Sequence, residues 1–223
     1  MRTTDFLGIK LYLHPQGDVV CDNIAKHIPA EEHLTLYFNK LIKPTDVVVE
    51  GGVHVGIHTI RFSQLAEQGH VYSFEASRRN YNLANLTLQN NDIKNVTLCN
   101  QALYSKNMTM YLAESWTPDQ DSITDTPTNT TIDAVTIDSL QLPKVDFIKL
   151  DIEGGELDAL HGAAQTLIRH KPIITFEYLE HLGHKSPILF LKENGYDVFK
   201  IDTHWDYIAF HKSTDYENNL QNI

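Results

Sequence analysis

The amino-acid sequence predicts an α/β fold in which a mostly parallel sheet is covered by helices on both faces. Short apolar runs bounded by turn residues recur at 46–50, 70–75, 95–100, 145–151 and 172–178. Runs of this length with few polar interruptions are typical of strands that are buried on both faces. Because stretches with helical spacing separate these runs, the strands should be parallel and joined by right-handed crossovers.

The helices and the C-terminal strands complete this prediction. Apolar residues recur at helical intervals in 56–68, 78–91 and 154–170. Near the C-terminus, the runs 196–202 and 205–211 are separated by too few residues for a crossover, so they should pair in antiparallel fashion. We therefore expect a sheet of seven strands with an antiparallel strand at its edge.

Two segments do not follow the alternation of strands and helices. Residues 1–45 contain EEHLTLYFNKLI, an amphipathic helix pattern that ends before a proline, and we expect them to form an N-terminal helical cap. Residues 46–223 should form a single globular domain, since this length does not require a second one. Residues 113–131 are polar, which is typical of a mobile loop beside a site, and Trp116 and Ser122 are candidates for closing over a substrate.

The charge and composition argue against several classes of protein. Asp and Glu number 29 and Lys and Arg number 18, and the resulting net charge of −11 disfavours nucleic acid as a partner. No apolar stretch is long enough to cross a bilayer, and the N-terminus lacks the pattern of a secretory signal. We therefore expect a cytoplasmic protein without a membrane span, and the sequence does not indicate its oligomeric state.

The turn after the first predicted strand indicates the charge of the ligand. Glu50 closes this strand, and Gly52 and Gly56 follow it without forming the GxGxxG pattern of dinucleotide-binding proteins. A carboxylate at this position would repel a pyrophosphate, which disfavours an NAD-dependent oxidoreductase. A cationic cofactor suits it better, and S-adenosylmethionine carries an ammonium group and a sulfonium group but no phosphate.

The next two strands end in residues that suit the rest of such a cofactor. Glu75 ends the second strand, where nucleotide-binding folds commonly place an acceptor for the ribose hydroxyls. The third strand ends in Asn100, Gln101 and Ala102, which can offer amide and backbone contacts to an adenine edge. Acidic residues at the ends of two successive strands, Glu50 and Glu75, indicate a binding site for such a cofactor more strongly than either residue would alone.

The order of these pieces resembles a known family. The segments VVVEGGVHVGIHT, VYSFEASRRNY, NVTLCNQALYS, FIKLDIEGGELDALHGA and PIITFEY resemble the FkbM-type family of S-adenosylmethionine-dependent methyltransferases across roughly residues 30 to 180. The most specific motif is K-x-D-x-E-G-x-E, which is followed by a helix with L-x-G-A. The resemblance implies a Rossmann-like class I methyltransferase fold and methylation of hydroxyl oxygens on sugars, lipids or natural products.

The resemblance also implies which residues contact the cofactor, with three departures from the family pattern. The family usually has Asp at Glu50, Asn at His54 and Pro at Ala76. The longer side chain of Glu50 can still accept a hydrogen bond from an ammonium group. The predicted cofactor-binding residues are Glu50, Gly52, His54, Gly56, Glu75, Ala76, Gln101, Ala102 and Asp151.

The candidates for the chemical step follow the later strands. Asp151 is the first candidate for the general base, because an alcohol acceptor must lose its proton during methyl transfer. Glu177 ends the next strand and would face Asp151 across the crevice, and His58 in the first helix is a third candidate. Two carboxylates and water can also hold Mg²⁺, but a metal is not favoured.

Other functions remain open at this stage. The leading hypothesis is a methyltransferase that acts on a hydroxyl of a saccharide or another small polar metabolite, with S-adenosylhomocysteine as the second product. The alternatives are a non-catalytic relative that acts as a binding module and a methyltransferase that acts on nucleic acid, because this fold supports many functions.

Overall fold

The computed structural model describes residues 1–28, 31–201 and 205–215. Its α-helices are α1 (Val19–Ala25), α2 (Glu32–Leu41), α3 (Ile57–Leu65), α4 (Arg78–Asn90), α5 (Glu156–His161), α6 (Ala164–His170) and α7 (Ile188–Glu193). Its strands are β1 (Arg2–Phe6), β2 (Ile9–Leu13), β3 (Val47–Gly51), β4 (His70–Phe74), β5 (Val96–Cys99), β6 (Ala102–Leu103), β7 (Met108–Ala113), β8 (Ser122–Thr124), β9 (Thr131–Val135), β10 (Phe147–Leu150), β11 (Ile173–Glu177), β12 (Tyr196–Lys200) and β13 (Asp206–His211).

The main sheet has seven strands in the order β12-β13-β11-β10-β3-β4-β5. The strands β11, β10, β3, β4 and β5 are parallel to one another, whereas β13 is antiparallel to both β11 and β12. This arrangement confirms the predicted α/β sheet with an antiparallel edge. Residue 202 of the predicted strand 196–202 lies outside the described residues. The strand order reverses between β3 and β10, which is where open α/β sheets bind their ligands.

The apolar runs are continuous because the central strands bury side chains on both faces. On one face, Val49 and Ile148 pack into a core with Phe176. On the other face, their neighbours Val48 and Phe147 pack into a second core that includes the helix α2. Alternation therefore places successive side chains of one strand in two different cores.

The N-terminal segment differs from the predicted helical cap in its first residues. A hairpin of β1 and β2 precedes α1 and α2, and its turn places Leu7 and Gly8 at φ 55° and 77°. Two consecutive positive φ angles are the geometry of a tight two-residue hairpin turn. The hairpin packs on α4, where the amide of Tyr12 donates to Thr87 Oγ1 at 3.1 Å. The cap is therefore a mixture of strand and helix.

The predicted helix 154–170 is interrupted. The structure has α5 and α6 in its place, with Gly162 between them. A Cβ atom on Gly162 would lie 2.0 Å from the carbonyl oxygen of Tyr104, so this position requires glycine. The close approach of the chain at Tyr104 is a tertiary contact that helical spacing does not reveal.

The predicted mobile loop 113–131 contains regular structure. A 3₁₀ turn spans Pro118–Gln120, and β8 pairs with β7 in a second sheet of order β6-β9-β7-β8. Arg79 braces this segment, since it forms an ion pair with Asp121 and donates to the carbonyl oxygen of Ser115 at 2.6 Å. The segment is thus held against α4 instead of standing free.

Among the residues that the structure describes, no helix has both the length and the apolar character needed to span a membrane.

Candidate active site

A cavity of about 570 Å³ opens at the carboxyl ends of the central parallel strands. Its wall includes Gly52 after β3, Glu75 after β4, Asp151 after β10 and Glu177 at the end of β11. This is the edge where parallel strands of neighbouring β-α units deliver their functional residues. The volume lies within the range of pockets for small molecules and cofactors, which is about 300 to 1,000 Å³.

The glycine turn between β3 and α3 forms one side of this cavity. Gly52 has φ 80°, and a Cβ atom there would lie 1.6 Å from the carbonyl oxygen of Asp151. Gly56 has φ 95° and caps the N-terminus of α3, but it is not part of the cavity wall. The glycines therefore allow the turn to pass close to β10, as strand-turn-helix sites require.

Glu75 closes the glycine turn onto the end of β4. Its Oε2 atom accepts hydrogen bonds from the amides of Val53 at 3.0 Å and His54 at 2.8 Å, and its Oε1 atom accepts from the amide of Ser77 at 2.8 Å. Burial raises the pKa of Glu75, and these amide donors oppose that rise. A carboxylate has about four lone-pair sites, so Glu75 retains capacity for a hydroxyl donor from a ligand.

Glu50 lies beneath the cavity and not in its wall. It is completely buried, and its Oε2 atom accepts from Thr59 Oγ1 and Ser73 Oγ, both at 2.7 Å. Its Oε1 atom has no hydrogen-bond partner among the described residues. Glu50 was expected to contact the cofactor directly, but it is not part of the cavity wall as the structure describes it. Its hydrogen bonds link β3 to α3 and β4 instead.

The apolar end of the cavity is lined by the residues predicted to lie near adenine. Ala76, Gln101 and Ala102 are all in the wall, together with Phe74 and Leu103. The side-chain amide of Asn100 is committed to the backbone, because its Nδ2 atom donates to the carbonyl oxygens of Glu75 at 2.7 Å and Ala76 at 3.0 Å. Asn100 therefore holds the backbone of Glu75 and Ala76 in position and does not itself line the cavity as described.

His54 joins the glycine turn to the N-terminal segment. Its Nε2 atom lies 2.6 Å from Asp18 Oδ2, while Asp18 Oδ1 caps α1 by accepting from the amide of Cys21 at 2.7 Å. Burial opposes the charge on His54, but its contacts with Asp18 and Cys21 raise its pKa to about 10. Despite its own burial, the pKa of Asp18 falls to about 2 because of His54. The pair is therefore an ion pair at neutral pH.

Three carboxyl groups converge in the cavity wall after β10 and at the end of β11, next to the glycine turn. Oxygen atoms of Asp151, Glu153 and Glu177 lie within 4.8 Å of one another. Burial raises the pKa of Glu177 to about 9 and that of Glu153 to about 8, with further contributions from the charge of Asp151. The structure therefore brings Asp151 and Glu177 together as predicted, with Glu153 as a third member, and Glu177 carries a proton at neutral pH.

Two groups of side chains in the described residues could bind a metal cation. Besides the three carboxylates, ligand atoms of His14, Asp18 and His54 also lie within 4.8 Å of one another. However, the short contact between His54 and Asp18 satisfies that pair without an ion, and acidic groups often converge in proteins without one. We assign no metal to either group.

His58 lies in the cavity wall, as expected for a catalytic candidate. Its ring packs against Phe38 and Phe62 with centroid distances of 5.2 and 6.0 Å, and its Nε2 atom pairs with Glu31. Burial raises the pKa of Glu31, but His58 lowers it to about 2. Glu31 precedes α2 in the N-terminal segment, so this segment contributes directly to the site.

The charged wall residues that sequence reasoning did not name as site residues are Glu31, Asp119, Asp121, Lys149 and Glu153. Lys149 is 3% exposed in the middle of β10, and a lysine within an otherwise apolar buried strand is a signal that was available. No local signal identifies Glu31, whose position depends on the fold of the N-terminal segment. Of the two loop residues predicted to close over a substrate, Ser122 lines the cavity and Trp116 is fully exposed outside the wall.

The mostly parallel sheet with a cavity at the point where its strand order reverses is the architecture of nucleotide-binding α/β proteins. The sequence matches the profile of the Methyltransferase FkbM domain over residues 50–198. Because this match covers more than half of the chain, the chain belongs to the FkbM methyltransferase family. No curated protein matches the sequence.

Solved structures show the same class I methyltransferase fold at low sequence identity. Methyltransferase FkbM from Methylobacillus flagellatus KT is 17% identical with a TM-score of 0.56, and the match covers 86% of this chain and 60% of that protein. TYW2 from M. jannaschii, solved with AdoMet, is 14% identical with a TM-score of 0.51, covering 93% and 83%. SMU.1697c from Streptococcus mutans, a putative methyltransferase solved with SAH, is 13% identical with a TM-score of 0.52, covering 80% and 96%.

Proposed function

We propose that this chain binds S-adenosylmethionine and transfers its methyl group to a hydroxyl oxygen of a saccharide or another small polar acceptor. The observation that carries the proposal is the junction of two halves in one cavity. The glycine turn closed by Glu75 and the carboxyl groups of Asp151, Glu153 and Glu177 line the same cavity, where Gly52 packs against the backbone of Asp151. The first half suits a nucleoside cofactor and the second suits a cationic or hydroxyl-bearing ligand.

The electrostatics of the cavity support a cofactor without phosphate. The wall contains the carboxylates of Glu31, Asp119, Asp121 and Asp151, whereas its cationic groups among the described residues are Lys149 and the imidazolium of His54, which is paired with Asp18. Acidic groups favour a sulfonium ion and oppose a pyrophosphate. This charge distribution favours S-adenosylmethionine over NAD.

The residues of the wall fit the parts of this cofactor. Glu75 would accept from the ribose hydroxyls, and Ala76, Gln101 and Ala102 would contact the adenine. Gly52 and His54 would contact the methionine end. The cofactor supplies an activated methyl group, so the protein contributes mainly by positioning the acceptor.

The acceptor hydroxyl would lie among Asp151, Glu177 and His58. Asp151 is the proposed base, since its salt bridge with Lys149 keeps a carboxylate at the end of β10. Glu177 is better suited to donate a hydrogen bond to the acceptor, because its pKa of about 9 leaves it protonated at neutral pH. His58 is retained as a second base candidate. A Mg²⁺ ion is not part of the proposal.

The first experiment is calorimetric titration of the purified chain with S-adenosylmethionine, S-adenosylhomocysteine and NAD. We expect the first two ligands to bind and NAD not to bind. Binding of NAD alone would contradict the proposal and favour an oxidoreductase. Absence of binding by all three in a folded sample would contradict a cofactor-dependent function.

The second experiment tests the transfer. A panel of saccharides and polar metabolites is incubated with the protein and S-adenosylmethionine that carries a radiolabelled methyl group. The matched control is Asp151→Asn, which should bind cofactor but transfer at least about 100-fold more slowly if Asp151 is the general base. Binding of cofactor with no transfer to any acceptor would instead indicate a non-catalytic relative.

A further inference from the structure

Lys149 is a buried cation at the junction of the two halves of the cavity. Its side chain is 4% exposed, and its Nζ atom donates to Asp151 Oδ2 at 3.1 Å and to the carbonyl oxygen of Gly52 at 3.2 Å. One ammonium group therefore joins the glycine turn to the proposed base. The removal of a lysine from water is costly unless it is paired, so these contacts are required for its position.

Lys149 faces more than one carboxylate. It lies directly opposite Glu50 in the parallel register of β10 and β3, and Glu50 and Glu31 both act on it electrostatically. Burial lowers the pKa of Lys149, but Asp151, Glu31 and Glu50 raise it above the usual range for lysine. The group is therefore a permanent positive charge in the wall of the cavity.

We propose that Lys149 is a positioning residue that ties Asp151 to the glycine turn and sets the charge beside the bound cofactor. This inference rests on the proposed function, because S-adenosylmethionine carries a sulfonium charge that S-adenosylhomocysteine lacks. A positive charge in the wall disfavours the sulfonium form relative to the neutral product. Lys149 thereby offsets the preference for cations that the carboxylates of Asp151 and Glu31 would otherwise produce.

The test is the ratio of the affinities for the two cofactor forms, measured by calorimetry. Lys149→Met removes one positive charge, so we expect the ratio to shift toward S-adenosylmethionine by about tenfold or more. Lys149→Arg keeps the charge and should stay within about threefold of the wild-type ratio. A merely structural lysine would change stability and both affinities together and leave their ratio unchanged.

Asp151→Asn supplies an opposite change and a rescue. It removes a negative charge, so the ratio should shift toward S-adenosylhomocysteine, and the double variant Lys149→Met, Asp151→Asn should return to within about threefold of wild type. If Lys149→Met alone fails to fold, Asp151→Asn is compared with the double variant. These two proteins differ only at Lys149, so the comparison measures the effect of the lysine charge in the absence of the Asp151 carboxylate.

The two proposals fail in different ways. A ratio that stays within about twofold in folded variants overturns the role of Lys149 while leaving cofactor binding by the wild type intact. Absence of binding of both cofactor forms by the wild type overturns the proposed function itself, and the role of Lys149 with it.

Discussion

The ion pair between His54 and Asp18 leads to a prediction about stability and pH. His54 has φ 53°, and Asn is the residue that the sequence resemblance leads us to expect at this position. Asn tolerates this left-handed conformation, so His54→Asn removes the charge without straining the turn. The variant therefore isolates the contribution of the imidazolium.

The size of the effect follows from the shifted pKa values. The pKa of Asp18 falls from 3.8 to about 2, and that of His54 rises from 6.5 to about 10. Both shifts include burial and contacts with Cys21, so we base the magnitude on the smaller of the two, the shift at Asp18. With about 1.4 kcal/mol for each pKa unit, the pair contributes about 2 to 3 kcal/mol to stability.

The sign depends on which group titrates. A raised pKa stabilises the folded protein below the unfolded value, so the contribution of His54 is complete below pH 6.5 and is lost as the pH rises toward about 10. The depressed pKa of Asp18 stabilises the fold above pH 3.8, and that contribution is lost as the pH falls toward about 2. The pair is thus most stabilising between these two unfolded values.

The assay is denaturant unfolding of the wild type and His54→Asn at pH values from about 6 to about 10. The difference between the two proteins cancels the titration of groups that do not interact with His54. We expect the advantage of the wild type to shrink by about 2 to 3 kcal/mol over this range. Parallel profiles of the two proteins would refute the ion pair.

Three further predictions concern the cavity. Gly52→Ala places a Cβ atom 1.6 Å from the carbonyl oxygen of Asp151, so it should destabilise the fold by at least about 2 kcal/mol, and an unchanged melting temperature would contradict this packing. Glu75→Gln replaces a charged acceptor of two turn amides and should weaken S-adenosylmethionine binding by about tenfold, whereas equal calorimetric affinity would exclude Glu75 from the binding site. Methyl transfer by the wild type should decline as the pH rises through about 9, where Glu177 loses its proton, and Glu177→Gln should abolish that decline while retaining activity near neutral pH.

The sequence by itself determined the order along the chain of the main-sheet strands, and it indicated the family. The five apolar runs are strands of one sheet because each must bury two faces, and the residues that end them meet at one edge because parallel strands share a direction. Gly52, Glu75, Asp151 and Glu177 could therefore be placed in one cavity from their positions alone. These features depend on local pattern and on the geometry of a parallel sheet.

Only the tertiary structure decided which charged groups face the cavity and which partners they have. Glu50 and Lys149 are neighbours in register, yet Lys149 is in the wall and Glu50 is beneath it. Glu31 lines the cavity and pairs with His58, 27 positions away, and Asp18 pairs with the wall residue His54, 36 positions away. Contacts between residues so far apart in sequence depend on the tertiary packing of the chain, which cannot be predicted from residue spacing or from secondary-structure propensity.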